Sequence, residues 1–338
     1  MSLNIAPLKY ESYTICGLEF VFDRECNDEI IKTLRQVGGC PYWACISCVR
    51  TLFDCISSIS YMTSKVIPQS SVIVDVGCHI GTYSLPLAKQ GHSVIAIDGS
   101  VDSISCLEEA KERNNIDNIT TLNKIISNED KVCTFNPKSS PYSAINDEIG
   151  REYWRNKNYI QTSTTIDKLF SSNSKLSDID RCDMMKIDIE GYEQEAIQGA
   201  VDTITKYKPL LLLEVNNLSL HNRHIKPNAV FAQLIELGYD ILMPRFSLDF
   251  PSVTPDPLSS YIEFIPVDPD AIFPFRVANI LCYPKDKKPS EIQLSPMRSI
   301  EQLYQILKEN YTPKGPFSSY FRSLIYEENE HNPFFNPK

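Results

Sequence analysis

The 338-residue chain is short of several features that mark large functional classes. Positive charge is one: Lys and Arg number 33 against 43 Asp and Glu, a formal charge of −10, and no basic run interrupts the acidic excess. Binding nucleic acid or an anionic membrane needs a local positive field, so neither is expected as a partner. Long apolar runs are missing too. The densest, Pro209 to Val215, has the length of a strand, far below the roughly 20 residues of a spanning helix. The start of the chain carries Lys9, Glu11, Glu19, Asp23, Arg24 and Glu25 and no continuous apolar stretch, so no secretory signal is read. No G-x-G-x-x-G follows any apolar run, which removes the dinucleotide fingerprint. Cysteine is plentiful, at 11, but the number is odd and most lie inside apolar segments. The C-x-x-C at Cys45 and Cys48 has no second such pair to complete a zinc set. A reduced, cytoplasmic setting is the expectation.

What is present is an alternation of strand and helix. Ser71 to Val76 reads as a strand, followed by a glycine turn and a helix to Gln90; Ser93 to Ile97 is a second strand and Val101 to Asn114 a second helix. Thr120 to Ile126 follows as a third strand, with a short addition at Val132 to Phe135. Asp183 to Ile189 is expected as the fourth core strand, Glu193 to Tyr207 as its helix and Pro209 to Val215 as the fifth strand. Phe231 to Leu237 is a helix stopped by Gly238, Asp240 to Met243 a further strand, and Ala278 to Tyr283 a late antiparallel edge. Such alternation demands a parallel sheet with helices on its faces. Residues 1–65 read as a separate N-terminal extension. In it Cys45, Cys48, Leu52, Cys55 and Ile59 line one face of a helix from about Trp43 to Met62, either a lid or a dimer face, so a homo-oligomer stays open. The core is expected over 66–285, with an insertion at 137–158, and the tail over 286–338 with a helix at Ser299 to Leu307.

Two clusters carry chemistry. Asp75, Gly77, His79 and Gly81 occupy the turn after the first strand, where glycines let backbone approach a ligand. An acidic residue beside that turn would repel a pyrophosphate but suits a ligand bearing an ammonium and a sulfonium, so the spacing favours S-adenosylmethionine. Asp98, ending the second strand, stands where a carboxylate accepts both ribose hydroxyls. In the second cluster Lys186, Asp188 and Glu190 share one parity along the fourth strand, and Glu214 ends the fifth, with Asn216 two residues on. Ligands of open α/β sheets lie beyond the carboxyl ends of the strands. The group therefore reads in three ways: a base or orienting set for an acceptor hydroxyl, a hard oxygen site for Mg²⁺ or Ca²⁺, or a structural cluster in which Lys186 neutralises Asp188 and Glu190 caps the next helix.

The VDVGCHIG turn, Asp98, Thr164-Thr165-Ile166-Asp167, the KIDIEGYE run from Lys186 to Glu193, Gly199-Ala200 and Leu213-Glu214 closely resemble the FkbM family of S-adenosylmethionine-dependent methyltransferases. The resemblance covers about residues 66–285. It implies a class I, seven-stranded, Rossmann-like methyltransferase fold, here with an N-terminal helical extension. It implies S-adenosylmethionine as cofactor and methyl transfer to an oxygen of a sugar or another small hydroxylated molecule; a divalent metal is admissible but not expected. Asp75, Gly77, His79, Gly81 and Asp98 would bind the cofactor, and Asp188, Glu190 and Glu214 would serve the acceptor. The family turn usually reads G-A-N-I-G, whereas Cys78 and His79 stand here, and Asp98 replaces the commoner Glu. An N-methyltransferase and a non-catalytic cofactor-binding module are the alternatives.

Overall fold

The computed structural model describes residues 9–15, 17–24, 67–135, 159–171, 176–246, 262–270, 273–275 and 277–287. In chain order these form β1 (Tyr10–Ile15), β2 (Leu18–Asp23), β3 (Val72–Val76), α1 (Ser84–Lys89), β4 (Ser93–Asp98), α2 (Val101–Asn114) and β5 (Ile119–Asn123). Then come β6 (Ile125–Ile126), β7 (Val132–Phe135), β8 (Tyr159–Thr164), α3 (Ile166–Leu169), β9 (Met184–Ile187), α4 (Glu193–Gln198) and α5 (Val201–Tyr207). The last are β10 (Leu210–Asn216), α6 (Asn217–Asn222), α7 (Pro227–Glu236), β11 (Tyr239–Phe246), β12 (Ile262–Pro266) and β13 (Val277–Pro284).

One eight-stranded sheet runs β12-β11-β13-β10-β9-β3-β4-β5. Strands β3, β4, β5, β9 and β10 are mutually parallel, which accounts for their continuous apolar runs, since helices cover both faces. Strand β13 is antiparallel to both β10 and β11. The seven strands from β5 to β11 are those expected of the class I arrangement, and β12 adds an antiparallel edge. The late strand was expected at the edge and lies inside instead. Its run Ala278 to Tyr283 alternates buried residues on both faces because it is covered on both sides, a state its length and composition share with an edge strand.

Two apolar clusters sit on the two faces. Met185, Ile187, Leu211 and Leu213 pack with Ile197, Ile204, Phe231 and Leu234 on one side. Met184, Leu210 and Leu212 pack with Leu85, Leu87 and Leu107 on the other. The alternation Met184/Lys186 against Met185/Ile187 is thus a true two-faced strand.

Several elements differ from expectation for local reasons. The third strand ends at Asn123, and Ile125–Ile126 pairs with β8 in a separate three-stranded sheet, β6-β8-β7. The single helix expected from Glu193 to Tyr207 is two helices broken at Gly199 and Ala200. A Cβ at Gly199 would lie 2.2 Å from the Ser127 carbonyl oxygen, so the chain presses against a neighbour there. The second helix is started from outside, because the Asp167 carboxylate accepts the N–H groups of Asp202 and Thr203 at 3.0 and 2.7 Å.

The described part of the N-terminal extension, residues 9–15 and 17–24, is a β-hairpin, for which the sequence reading named no element. It is not separate from the core: Leu18, Phe20, Val21 and Phe22 are buried with α1 and α2 residues. The helix expected at 43–62, the insertion at 137–158 and the helix at 299–307 lie outside the described residues. No helix among the described residues is long and apolar enough to cross a membrane.

Candidate active site

The turn between β3 and α1 is shaped by backbone. Gly77 has φ +80°, and a Cβ there would sit 1.8 Å from the Asp188 carbonyl oxygen; only glycine lets the turn lie against the end of β9. Gly81, at φ +88°, is held against Leu107 in the same way. The Gly77 and Cys78 N–H groups both donate to the Ile97 carbonyl, at 2.8 and 3.1 Å, so the turn is tied to β4 and not left to a ligand. His79 adopts a left-handed conformation, φ 50°, which points its N–H at Asp98 Oδ2, 2.9 Å away. Ser100 N–H donates to Asp98 Oδ1 at 2.7 Å. Burial pushes the Asp98 carboxyl up, against the pull of these N–H groups. Two fixed N–H donors orient a partly exposed carboxylate at the end of β4, an arrangement that fits a ribose diol.

Asp75 does something different from its neighbours. It is fully buried, with Oδ2 accepting from Ser84 Oγ at 2.6 Å and Oδ1 3.6 Å from Lys186 Nζ. Burial raises its carboxyl above the ordinary range, opposed chiefly by Lys186. Lys186 is itself only 3% exposed, lies 3.1 Å from Asp188 Oδ2, and stacks over the Tyr83 ring at 4.3 Å.

Beyond β9 and β10 the carboxylates converge. One oxygen each of Asp188, Glu190 and Glu214 lie within 4.8 Å of one another, and Asp188 is 27% exposed. Glu190 has φ 55°, and its Oε2 accepts from Asn216 Nδ2 at 3.0 Å and Ser219 Oγ at 3.4 Å. It does not cap the following helix. That helix has no side-chain cap; Glu193, its first residue, folds back onto the loop before it, its Oε1 accepting the N–H groups of Ile189 and Gly191 at 3.1 and 3.2 Å. Burial, with Glu214 and Asp188 beside it, drives the Glu190 carboxyl well above its ordinary range. Burial followed by Asp188 does the same to Glu214, and burial pushes Glu193 up to about 7. On the far side Arg223 binds Glu195 and the Gly191 carbonyl and lies 3.5 Å from the Tyr192 ring centroid, clamping the Glu190–Tyr192 loop onto α6.

All eight candidate residues therefore fall at the carboxyl ends of β3, β4, β9 and β10. The structure joins Asp98 to His79, and Asp188 to both Gly77 and, through Lys186, Asp75. Tyr83, Ser84 and Glu193 escaped the sequence reading as contributors. Glu193 stood inside the KIDIEGYE run, but only the chain reversal at Gly191 turns it back onto the strand end. Chemically these strand ends offer one set of oxygens for hydroxyl or ammonium groups and one fixed carboxylate for a diol.

Strand order, reversed last strands and an acidic strand end beside a glycine turn together define a class I methyltransferase domain of the kind that uses S-adenosylmethionine. More narrowly, residues 75–241 match the methyltransferase FkbM domain, so the chain carries a domain of that family. A 52-residue stretch is 38% identical to an uncharacterised protein of Haemophilus influenzae; the match spans 15% of this chain and 19% of that protein. Among solved structures the chain is similar to the methyltransferase FkbM of Methylobacillus flagellatus KT, with 15% identity, 76% of this chain and 56% of that chain covered, and a TM-score of 0.39. It is also similar to M. jannaschii TYW2 in complex with AdoMet, with 12% identity, coverage of 82% and 86% and a TM-score of 0.36. A third is the precorrin-6y C5,15-methyltransferase of Geobacter metallireducens GS-15, with 9% identity, coverage of 67% and 86% and a TM-score of 0.35. The assignment rests on the matched domain and the strand order.

Proposed function

We propose that this protein transfers a methyl group from S-adenosylmethionine to a hydroxyl oxygen of a small molecule or sugar. The observation that carries the reading is the convergence of Asp188, Glu190 and Glu214 within 4.8 Å, directly beside the Gly77 turn. When bound, S-adenosylmethionine supplies a methyl already activated by a sulfonium. The protein's part is then to hold the acceptor in line, worth roughly 7 to 11 kcal/mol through effective molarity, and to take its proton. A hydroxyl is a poor nucleophile until that proton is shared, and a positioned carboxylate contributes about 10²- to 10⁴-fold. Asp188 is the carboxylate in van der Waals range of the turn through its own backbone, and we assign it the proton. The acceptor oxygen gains the methyl, its proton passes to Asp188 and the thioether leaves neutral. Asp98 holds the ribose, while Asp75 supports the turn from within. Glycan and small-molecule acceptors are the partners the reading implies.

The test is methyl-labelled S-adenosylmethionine offered with a panel of hydroxylated sugars and small alcohols. Asp188→Asn keeps shape and removes charge, so transfer falls by about 10² or more while S-adenosylhomocysteine affinity stays near wild type. Asp98→Ala loses two charge-assisted hydrogen bonds of about 1.5 to 3 kcal/mol each, so affinity falls at least about tenfold. Label appearing only on amines would replace the hydroxyl acceptor with a nitrogen one. Cofactor binding without any transfer would leave a binding module.

A further inference from the structure

Strand β8 belongs to the small sheet, yet one of its side chains reaches the end of β4 in the large one. Along β8, Ile160 and Thr162 face outward and are exposed while Gln161 and Ser163 turn in, so an inward position is occupied by an amide. Gln161 Nε2 donates to the Gly99 carbonyl at 2.8 Å and to Asn123 Oδ1 at 3.2 Å. With its oxygen engaged, Asn123 turns its Nδ2 to the Asp98 and Gly99 carbonyls, at 2.9 and 3.0 Å. The Lys124 N–H also donates to the Asp98 carbonyl, at 3.0 Å. Both carbonyls are thus held just where the pairing of β4 with β5 ends, at Asp98 opposite Asn123.

These donors reach the Asp98 carboxylate through a peptide plane. The Gly99 carbonyl and the Ser100 N–H are the two ends of one planar unit, so fixing the direction of one fixes the other. The carbonyl end is held by Gln161 and Asn123; the N–H end meets Asp98 Oδ1 at 2.7 Å. His79 N–H holds the other oxygen, at 2.9 Å, from the glycine turn. We propose that Gln161 is a positioning residue for cofactor binding: by gripping the Gly99 carbonyl it aims the Ser100 N–H at Asp98 and keeps that carboxylate turned to the ribose diol. The proposal rests on the reading of Asp98 as the ribose ligand and adds what sets its direction. A carboxylate that accepts two hydroxyls at once must present both oxygens together, and a side chain left to rotate loses part of the binding energy to its own ordering. The small sheet thereby takes part in cofactor affinity.

The experiment is a calorimetric titration of the full chain with S-adenosylhomocysteine, in a double-mutant cycle of Gln161→Met and Asp98→Ala. Met keeps the length and loses the donors, so affinity is expected to fall about 3- to 10-fold while Asp98 is present. In the Asp98→Ala background the same change is expected to cost less than about twofold. The free protein gives a second readout: in Gln161→Met the Ser100 amide proton resonance moves upfield as its bond to the carboxylate weakens, which a general loss of stability does not produce. Thr162→Ala, on the outward side of the same strand, is expected to leave both readouts at wild-type values. Unchanged affinity in Gln161→Met, an unmoved Ser100 resonance, or equal losses with and without Asp98 overturns the proposal. Should Gln161→Met not fold, Gln161→Glu, similar in length and without the amide donor, is read in the same cycle against the same outcomes. An Asp98→Ala variant that binds S-adenosylhomocysteine as the wild type does would sink the ribose reading and the proposal together. A weakened Asp98→Ala beside a wild-type-like Gln161→Met would sink the proposal alone.

Discussion

The same residue types are used in opposite ways at the two ends of this molecule. Where the N-terminal hairpin meets α2, each charge has a partner: Glu19 accepts from Ser12 and Arg113, Arg113 also binds Glu109, and Lys111 binds Glu108. Those hydrogen bonds lower the Glu19 carboxyl below its ordinary value. At the ends of β9 and β10, Asp188, Glu190, Glu193 and Glu214 face one another, and three of them are raised. Near a well-solvated surface a carboxylate is free to choose a cation, so pairing costs little and contributes little. A part-buried group of acids is held together by the fold against its own repulsion, which is a reason to look for chemistry there.

The largest expected effect comes from one pair of glycines. Gly77 and Gly17 share a positive φ, +80° and +75°, but a Cβ at Gly77 would meet the Asp188 carbonyl oxygen at 1.8 Å while nothing lies within 4 Å of Gly17. Gly77→Ala is expected to cost about 3 kcal/mol or more, or to prevent folding, because backbone must move as well as twist. Gly17→Ala is expected to cost only the left-handed penalty, about 1 to 2 kcal/mol. Urea unfolding of both variants checks this. Equal losses would remove the packing argument for the turn.

The next contrast is in pH. Glu193 binds its proton more tightly folded than unfolded, so its contribution falls as pH rises from about 4.5 to about 7. Glu193→Gln keeps an oxygen for the Ile189 and Gly191 N–H groups and removes the charge. The variant is expected to gain about 2 to 3 kcal/mol on wild type by pH 8 and to differ little at pH 4.5. Denaturant midpoints across that range measure it; parallel curves would refute it. Glu19 runs the other way. Its lowered carboxyl contributes above the ordinary value and loses that contribution as pH falls through its folded one.

Smaller effects belong to the hairpin. Asn114 fastens it to α2, accepting from Glu19 N–H at 2.8 Å and donating to the Glu19 carbonyl at 2.7 Å. Asn114→Ala strands those backbone groups and is expected to cost about 1 to 3 kcal/mol, with amide exchange rising first in β1 and β2. Arg113→Ala, removing partly exposed ion pairs only, is expected to cost about 0.5 kcal/mol and to matter less as salt is added. A larger, salt-independent loss would make the hairpin's ion pairs resemble the cluster they are contrasted with.

Much of the core was readable because its signals are local. β-branched runs at 72–76 and 93–98 need cover on both faces, and Val101 to Asn114 has its helical spacing and matches α2 end to end. Strand β8 was missed, since YIQTST alternates weakly and pairs with residues about 30 positions away. The break at Gly199 was equally hidden, because the Ser127 carbonyl and Asp167 that enforce it come from other elements. Motif spacing found every candidate carboxylate at a strand end, yet offered Glu190 as a helix cap where its carboxylate accepts from Asn216 and Ser219 and the helix has no side-chain cap.

By itself, then, the sequence determined which residues end which strands, because side-chain period and glycine turns are properties of a few consecutive positions. Which carboxylate faces which cation was decided only in three dimensions. Lys186 is two residues from Asp188 and 111 from Asp75, and it reaches both because β3 and β9 pair in parallel with Asp75 opposite Lys186. That register depends on burying Val74 and Val76 with Met185 and Ile187 on one face, an energy spread over the whole sheet and visible at no single position.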